Sequence, residues 1–201
     1  MLPAVVLAAG ASTRMGTPKA LLPSPDGRPF VARIVRTLAA AGLDTIVVVT
    51  GADHDAIVSA VRADAPAVLP RFARNPHPGR GQLSSIWAGM DAVLTADTTG
   101  LAITLVDVPM VEVATVVRVV EAWRRTRAPV VRPAIGERHG HPVIFDAAVF
   151  GELRDAPLEA GAKVVVRAHE RRLVNVAVAD EGCLVDVDTR EDYEALRRRG
   201  G

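Results

Sequence analysis

Residues 7–19 read Leu-Ala-Ala-Gly-Ala-Ser-Thr-Arg-Met-Gly-Thr-Pro-Lys and follow directly on the apolar run Ala4-Val5-Val6-Leu7. The residue types suit a polyphosphate. Ala8, Ala9, Gly10 and Ala11 carry almost no side chain, so a ligand can come close to backbone N–H groups. Ser12 and Thr13 add hydroxyl donors, Arg14 a planar fork for phosphate oxygens, and Lys19 a compact positive charge. Pro18 stiffens the residue before Lys19 and lowers the entropy lost when that lysine is aimed. Neither familiar nucleotide loop fits. A Walker loop needs G-x-x-x-x-G-K-[ST], whereas five residues separate Gly10 from Gly16 and Thr17 follows. The dinucleotide fingerprint G-x-G-x-x-G breaks at Ser12. The bland alternative is a small-residue turn with two solvated cations, and the length of the coherent stretch weighs against it.

Carboxylates supply the next candidates. Asp107 ends the apolar run Leu101–Val106 and precedes Val108-Pro109. An acid at the carboxyl end of a strand can hold Mg²⁺ against phosphate oxygens, or it can cap the helix expected near Glu112. Asp186 and Asp188 flank Val187, so on an extended segment both face one way and could complete a metal site with Asp107. Asp188 and Thr189 could equally cap the last helix. Ser84 and Ser85 follow Gly79, Gly81 and Gln82 and read as the N-cap of a helix. His141, in Gly140-His141-Pro142, is a lone histidine of the kind that is usually structural and neutral. His54, His77 and His169 have no metal-ligand spacing with a cysteine. The Arg197–Arg199 run reads as a solvated helix end.

The elements that must position these groups alternate. Strands are expected at Ala4–Leu7, Thr45–Thr50, Leu101–Val106, Pro129–Arg132, Pro142–Phe145 and Leu173–Val178. Helices are expected at Phe30–Ala41, Asp55–Ala63, Ser84–Leu94, Glu112–Arg127, Ala147–Leu153, Ala162–His169 and Arg190–Arg199. The proline- and glycine-rich stretch 64–81 reads as loop, with a short strand at Ala67–Leu69. This pattern implies an α/β, three-layer α/β/α fold with a mainly parallel sheet, in which ligands bind beyond the carboxyl ends of strands.

The 201 residues carry a formal net charge of +1, so no general attraction to nucleic acid or an anionic membrane is implied. No apolar run approaches the ~18 residues of a membrane span, and no leader pattern opens the chain. The single cysteine, Cys183, forms no intrachain disulfide and fits a reducing cytoplasm. With no linker or repeat, residues 1–201 are expected to form one domain.

On these motifs the chain resembles the MobA-like nucleotidyltransferases, and within them the cytidylyl members that act on the molybdenum cofactor. The resemblance rests on Leu7–Lys19 with Ala20-Leu21-Leu22-Pro23, on Asn75, Gly81 and Ser84-Ser85, on Leu105–Pro109, on Gly140–Phe145 and on Asp186–Thr189. It implies a Rossmann-like nucleotidyltransferase fold whose N-terminal part binds nucleotide and whose segment near 129–180 binds the acceptor. It implies Mg²⁺ as cofactor, held by Asp107 with Asp188 and with Asp186 as its close rival. Arg14 and Lys19 become catalytic, and Leu7, Ala8, Ala9, Gly10, Ser12, Asn75, Ser85 and Asp107 become nucleotide contacts. Gly140, His141 and Lys163 face the acceptor. Relatives usually show Gly-Asp before Gly-Ala-Arg where this chain has Glu159-Ala160 before Gly161-Ala162-Lys163, so the acceptor side loses a bidentate fork.

The implied reaction is attack of an acceptor phosphate on the α-phosphorus of CTP, with release of pyrophosphate. Leu-Ala-Ala-Gly resembles the cytidylyl members, whereas guanylyl members usually show Leu-Ala-Gly-Gly. The implied acceptor is molybdopterin, with transient contact to a molybdenum hydroxylase or its chaperone. Two alternatives stand beside this: a guanylyl or sugar/alditol-phosphate transferase on the same scaffold, and a non-catalytic cofactor carrier.

Overall fold

The computed structural model describes residues 1–10, 16–65 and 67–199, of Arg199 the backbone alone. In chain order the elements are β1 (Ala4–Ala8), α1 (Phe30–Ala40), β2 (Ile46–Thr50), α2 (His54–Asp64), β3 (Arg71–Arg74), α3 (Gln82–Val93), β4 (Gly100–Leu105), α4 (Val113–Thr126), β5 (Val130–Ile135), β6 (Arg138–His139), β7 (Val143–Asp146), α5 (Phe150–Asp155), α6 (Lys163–Ala168), β8 (Val174–Ala177) and α7 (Arg190–Arg199). Short 3-10 turns cover Lys19–Leu21, Pro78–Arg80, Ala147–Val149 and Glu181–Leu184.

The strands form one mixed sheet in the order β3-β2-β1-β4-β7-β5-β6, with β8 against β5. β3, β2, β1 and β4 run parallel, while β7 is antiparallel to both β4 and β5. β1 and β2 are wholly buried and carry only apolar residues up to Thr50, as strands covered on both faces must. Alternation along β1 serves both layers: Ala4, Val6 and Ala8 pack on one side, Val5, Leu7 and Ala9 on the other. The first side is filled by Phe30, Ile34 and Leu38 of α1 and by Val116, Val119 and Trp123 of α4. The second is filled by Leu83, Ile86 and Met90 of α3 and by Leu153 of α5. Each such fully buried side chain contributes about 1.5–3 kcal/mol. The result is the expected three-layer arrangement.

Three expectations need correction. The strand expected at Ala67–Leu69 lies at Arg71–Arg74 instead, and Leu69 is 89% exposed. β3 is an edge strand paired only with β2, and an edge tolerates arginines that a central strand would not. The loop expected between β5 and β7 contains β6, which pairs back on β5. Finally, Ser84 and Ser85 are not helix caps. α3 begins at Gln82, and Gly81 stands before it with φ +93°, a conformation that favours glycine.

α4 ends on Arg127, which takes a left-handed φ of 51° without being glycine. Its surroundings hold it there. The guanidinium lies 4.2 Å over the Trp123 ring and 3.1 Å from Asp146, and it donates to the Thr99 carbonyl. Trp123 Nε1 donates to the same Asp146 carboxylate, tying α4 to the end of β7. No helix among the described residues is long and apolar enough to cross a membrane.

Candidate active site

The carboxyl ends of β1 and β4 point to the same edge of the sheet, and a cavity of about 240 Å³ opens there. Leu7, Ala8, Ala9 and Gly10 after β1, Lys19, Asp107 beyond β4, and Gln82 and Ser85 of α3 all line it. The expected nucleotide contacts within the described residues thus converge on one cavity, Asn75 excepted. Ser12 and Arg14 lie outside the described residues.

Lys19 follows Pro18 and opens a 3-10 turn, so its side chain leaves a stiff segment. Its Nζ donates to Asp188 Oδ1 at 2.6 Å and lies 3.7 Å from Asp107 Oδ2. Lys19 and Asp107 therefore meet within a side chain's reach. Asp107 is held by its backbone, whose carbonyl accepts from Val187 N at 2.8 Å. That bond docks the chain's last extended segment beside the strand tip. Val187 is buried, which turns its neighbours Asp186 and Asp188 the other way.

The last helix has its own cap. Thr189 Oγ1 accepts from Asp192 N, and the Asp192 carboxylate accepts from the backbone N–H groups of Asp188 and Thr189. This reciprocal pair satisfies the helix start and leaves the Asp188 carboxylate to Lys19. The two acids separate by function of place: Asp188 pairs with Lys19, whereas Asp186 lines the neighbouring cavity. Burial pushes the Asp107 carboxyl above its usual range; Lys19 opposes that rise, and Asp186 and Asp188 add to it. Burial and then Asp188 likewise raise Asp186. Among the described residues no three His, Cys, Asp or Glu side chains are gathered into a ready metal cluster. The expected trio is thus split, with the Lys19 ammonium between two of its members. Asp107 Oδ1, however, is buried and has no hydrogen-bond partner.

Asn75 is buried behind Ser85 and does not line the cavity. Its amide donates to Ser84 Oγ at 2.8 Å and Ser85 Oγ at 2.9 Å, and its Oδ1 accepts from His77 N. Pro78 and Gln82 were not foreseen as cavity residues. The Pro76–Gly81 turn ahead of a helix was the available signal.

A second cavity, about 1150 Å³, lies beside the first and shares Gly81, Gln82 and Leu105 with it. It holds all three residues expected on the acceptor side, Gly140, His141 and Lys163. Ile86, Ile103, Val143 and Phe145 give it an apolar wall, and Arg80, Arg132, Lys163 and Arg167 outnumber Glu159 and Asp186. Burial pushes the His141 imidazole down to about 4, so it is neutral at pH 7. Its Nδ1 lies 3.4 Å from the Ile103 carbonyl, which can only accept, so the ring proton sits on Nδ1 and Nε2 is left as an acceptor. Gly140 is required by close approach: a Cβ there would stand 2.1 Å from the Cys183 carbonyl oxygen. Cys183 lines the same cavity, and burial raises its thiol to about 11, so it is no ready nucleophile.

Nicotine blue oxidoreductase of Paenarthrobacter nicotinovorans is 32% identical over 200 residues, covering 96% of this chain and 94% of that protein. A "Probable molybdenum cofactor guanylyltransferase" of Opitutus terrae is 29% identical, with 96% and 94% covered. Among solved structures, Rv0371c of Mycobacterium tuberculosis superposes with a TM-score of 0.79 at 32% identity, covering 98% of this chain and 97% of that one. Its manganese complex gives 0.76 at 29% identity, with 98% of each chain covered. The model of the MobA-like NTP transferase domain matches residues 4–173, a span that contains both cavities' main walls, and the chain belongs to that family.

Proposed function

We propose that this protein transfers a cytidylyl group from CTP to the terminal phosphate of a molybdopterin-type acceptor, with release of pyrophosphate. The observation that carries this is Lys19, an ammonium fixed at the mouth of a small-residue cavity within 3.7 Å of a strand-tip carboxylate. The family gives nucleotidyl transfer, and the finer choice of CTP rests on Ala9, where guanylyl members usually carry glycine. The larger cavity supports the acceptor. An apolar wall suits a fused, planar ring system, and the cationic rim suits its phosphate.

The chemistry asks for alignment more than covalent help. An oxygen of the ionised acceptor phosphate attacks the α-phosphorus, and the bond from that phosphorus to the bridging oxygen of the β-phosphate breaks. The backbone at Ala8–Gly10 lines the triphosphate, and Lys19 neutralises charge on the departing pyrophosphate. The two cavities share Gly81, Gln82 and Leu105, which supports a donor and an acceptor held side by side. Arg14 joins Lys19 in this role by resemblance. Neutral His141 offers the acceptor an unprotonated Nε2, and no general base is required.

Mg²⁺ fits the residues present. Asp107 Oδ1 is a buried oxygen without a partner, and the donors are all carboxylate oxygens, as a hard cation prefers. The manganese complex of Rv0371c gives further support. Asp107 and Asp188 would hold the ion, with Asp186 nearby, after Lys19 has exchanged Asp188 for phosphate. When bound, the ion would withdraw electron density from phosphate oxygens and screen their mutual repulsion. A cytoplasmic setting and delivery of the product to a molybdenum hydroxylase complete the proposal.

The test is pyrophosphate release with a panel of nucleoside triphosphates, with and without molybdopterin. Release with CTP that disappears in Lys19→Ala supports transfer. GTP outrunning CTP reassigns the nucleotide. Tight pterin binding with no release makes the protein a carrier. A second reading, reduction of a planar dye in the larger cavity, is favoured by the 32% identity to nicotine blue oxidoreductase. Protein-dependent loss of nicotine blue colour on adding a reductant, without nucleoside triphosphate, would establish it.

A further inference from the structure

The hydrogen bonds behind the nucleotide cavity have a fixed direction. His77 N can only donate, and it donates to Asn75 Oδ1 at 2.9 Å. Turning the amide over would set that N–H against an NH₂ group, so the orientation is dictated by the backbone. The Asn75 NH₂ must then give its two protons to the hydroxyl oxygens of Ser84 and Ser85. Ser84 passes its own proton to the Gly81 carbonyl at 2.7 Å. Ser85 receives a proton from Asn75, but its hydroxyl donates to no group among the described residues. Ser85 also lines the nucleotide cavity.

We infer that Asn75 is a positioning residue that fixes Ser85 as a hydrogen-bond donor toward an acceptor atom of the nucleotide base, which makes the pair a determinant of base selection. The inference rests on the proposed nucleotidyl transfer. The ligand atom it fits is a carbonyl oxygen or an unprotonated ring nitrogen, such as O2 or N3 of cytosine. Sequence spacing can name both residues, yet it cannot give the direction of the proton relay, since that depends on His77 N.

Asn75→Asp has nearly the same shape but reverses the relay. A carboxylate still accepts from His77 N, and it draws the Ser85 proton inward, which presents a lone pair to the base. The experiment measures kcat and KM for CTP in pyrophosphate release for Asn75→Asp, Ser85→Ala and the double variant, with thermal melts alongside. Each single variant is expected to raise KM about tenfold with kcat within about threefold, the scale of one hydrogen bond. The double variant is expected to match Ser85→Ala within about twofold, because Asn75 acts only through Ser85. Penalties that multiply to roughly a hundredfold would overturn the inference, since a purely structural asparagine would add its cost independently. If Asn75→Asp does not fold, Asn75→Ala enters the same cycle: an unchanged KM overturns the inference, and a raised KM at constant kcat that adds nothing to Ser85→Ala upholds it. Absence of pyrophosphate release by the wild-type chain with every nucleotide overturns the functional proposal and the inference with it. Release that persists with multiplying penalties overturns the inference alone.

Discussion

The two cavities are built differently. The smaller cavity, proposed for the nucleotide, sits at the ends of parallel strands β1 and β4, and small residues form much of its wall. The larger cavity, proposed for the acceptor, sits over the antiparallel β4, β7 and β5, and long side chains from strands, loops and helices line it. The first is about 240 Å³ and the second about 1150 Å³. A backbone-lined cavity at strand tips is rigid and suits a constant group such as a triphosphate. A side-chain-lined cavity can change its occupant by a few substitutions while the scaffold stays.

The sharpest way to break this comparison is at Lys19. Lys19→Ala is expected to lower kcat/KM for pyrophosphate release about 10³-fold or more, because charge on the leaving group loses its preorganised partner. Stability should change little, since the Asp188 partner is 63% exposed. The same variant should bind Mn²⁺ more tightly without nucleotide, as an ammonium no longer competes for Asp107 and Asp188. Electron paramagnetic resonance of free Mn²⁺ reads this directly. Equal Mn²⁺ affinity in both proteins would mean that the ion binds away from Lys19.

How much of this was written in the chain follows the same division. The lining of the smaller cavity was legible because its signals are local. Ala4–Leu7 is apolar, the small residues follow at once, and Asp107 comes just after its own strand. The acceptor side depends on contacts between distant segments. Gly140 is explained only by the Cys183 carbonyl, and Arg132 enters the cavity only because β5 pairs with both β7 and β8. Nothing in Val185–Thr189 tells which acid meets Lys19, since the Val187–Asp107 backbone bond makes that choice. β3 was misplaced because edge pairing, not apolar content, selects Arg71–Arg74.

Gly140→Ala probes the acceptor side next. The added methyl would meet the Cys183 carbonyl oxygen and carbon, at 2.1 and 2.8 Å, and backbone cannot step aside cheaply. A loss of about 3 kcal/mol by denaturant unfolding is expected, near the upper range for overpacking. Gly151→Ala, with open space around it, is the control and should fall within about 0.5 kcal/mol. Surviving Gly140→Ala protein should show a raised KM for the acceptor and an unchanged KM for nucleotide. A change in both would show that the two cavities are mechanically one.

His141 gives a smaller effect that depends on pH. Its pKa is about 4 in the folded chain against 6.5 when unfolded, so the unfolded state binds more protons between those values. Stability from this residue is complete above pH 6.5 and falls as pH drops toward 4. The loss is on the order of 1–3 kcal/mol, the lower figure allowing for partial exposure at the cavity wall. Raised carboxylates such as Asp107 and Asp186 act in the opposite sense at the acid end. Asp26, held at about 2 by Ser24, Arg28 and Arg33 despite burial, loses its contribution only below pH 3.8. His141→Gln should therefore flatten the slope between pH 6.5 and 4 relative to wild type. An unchanged slope would place the imidazole in water.

The smallest effect sharpens the nucleotide side. Ala9 lines the nucleotide cavity and is turned toward α3, on the side of the sheet where Leu83 and Ile86 pack. Ala9→Gly removes one methyl there and copies the guanylyl pattern. A single methyl in a binding site is worth about 1 kcal/mol or less in discrimination, and glycine adds a backbone entropy cost of similar size. The ratio of kcat/KM for GTP over CTP should rise by less than about tenfold, with total activity slightly lower. Ser85 still presents its donor in the variant, so the shift comes from room and not from a changed hydrogen bond. A ratio that does not move would mean that base selection resides in the Asn75–Ser85 relay and Gln82. A reversal of preference by much more than tenfold would mean that the methyl directly blocks a purine, making shape the stronger selector on this side of the molecule.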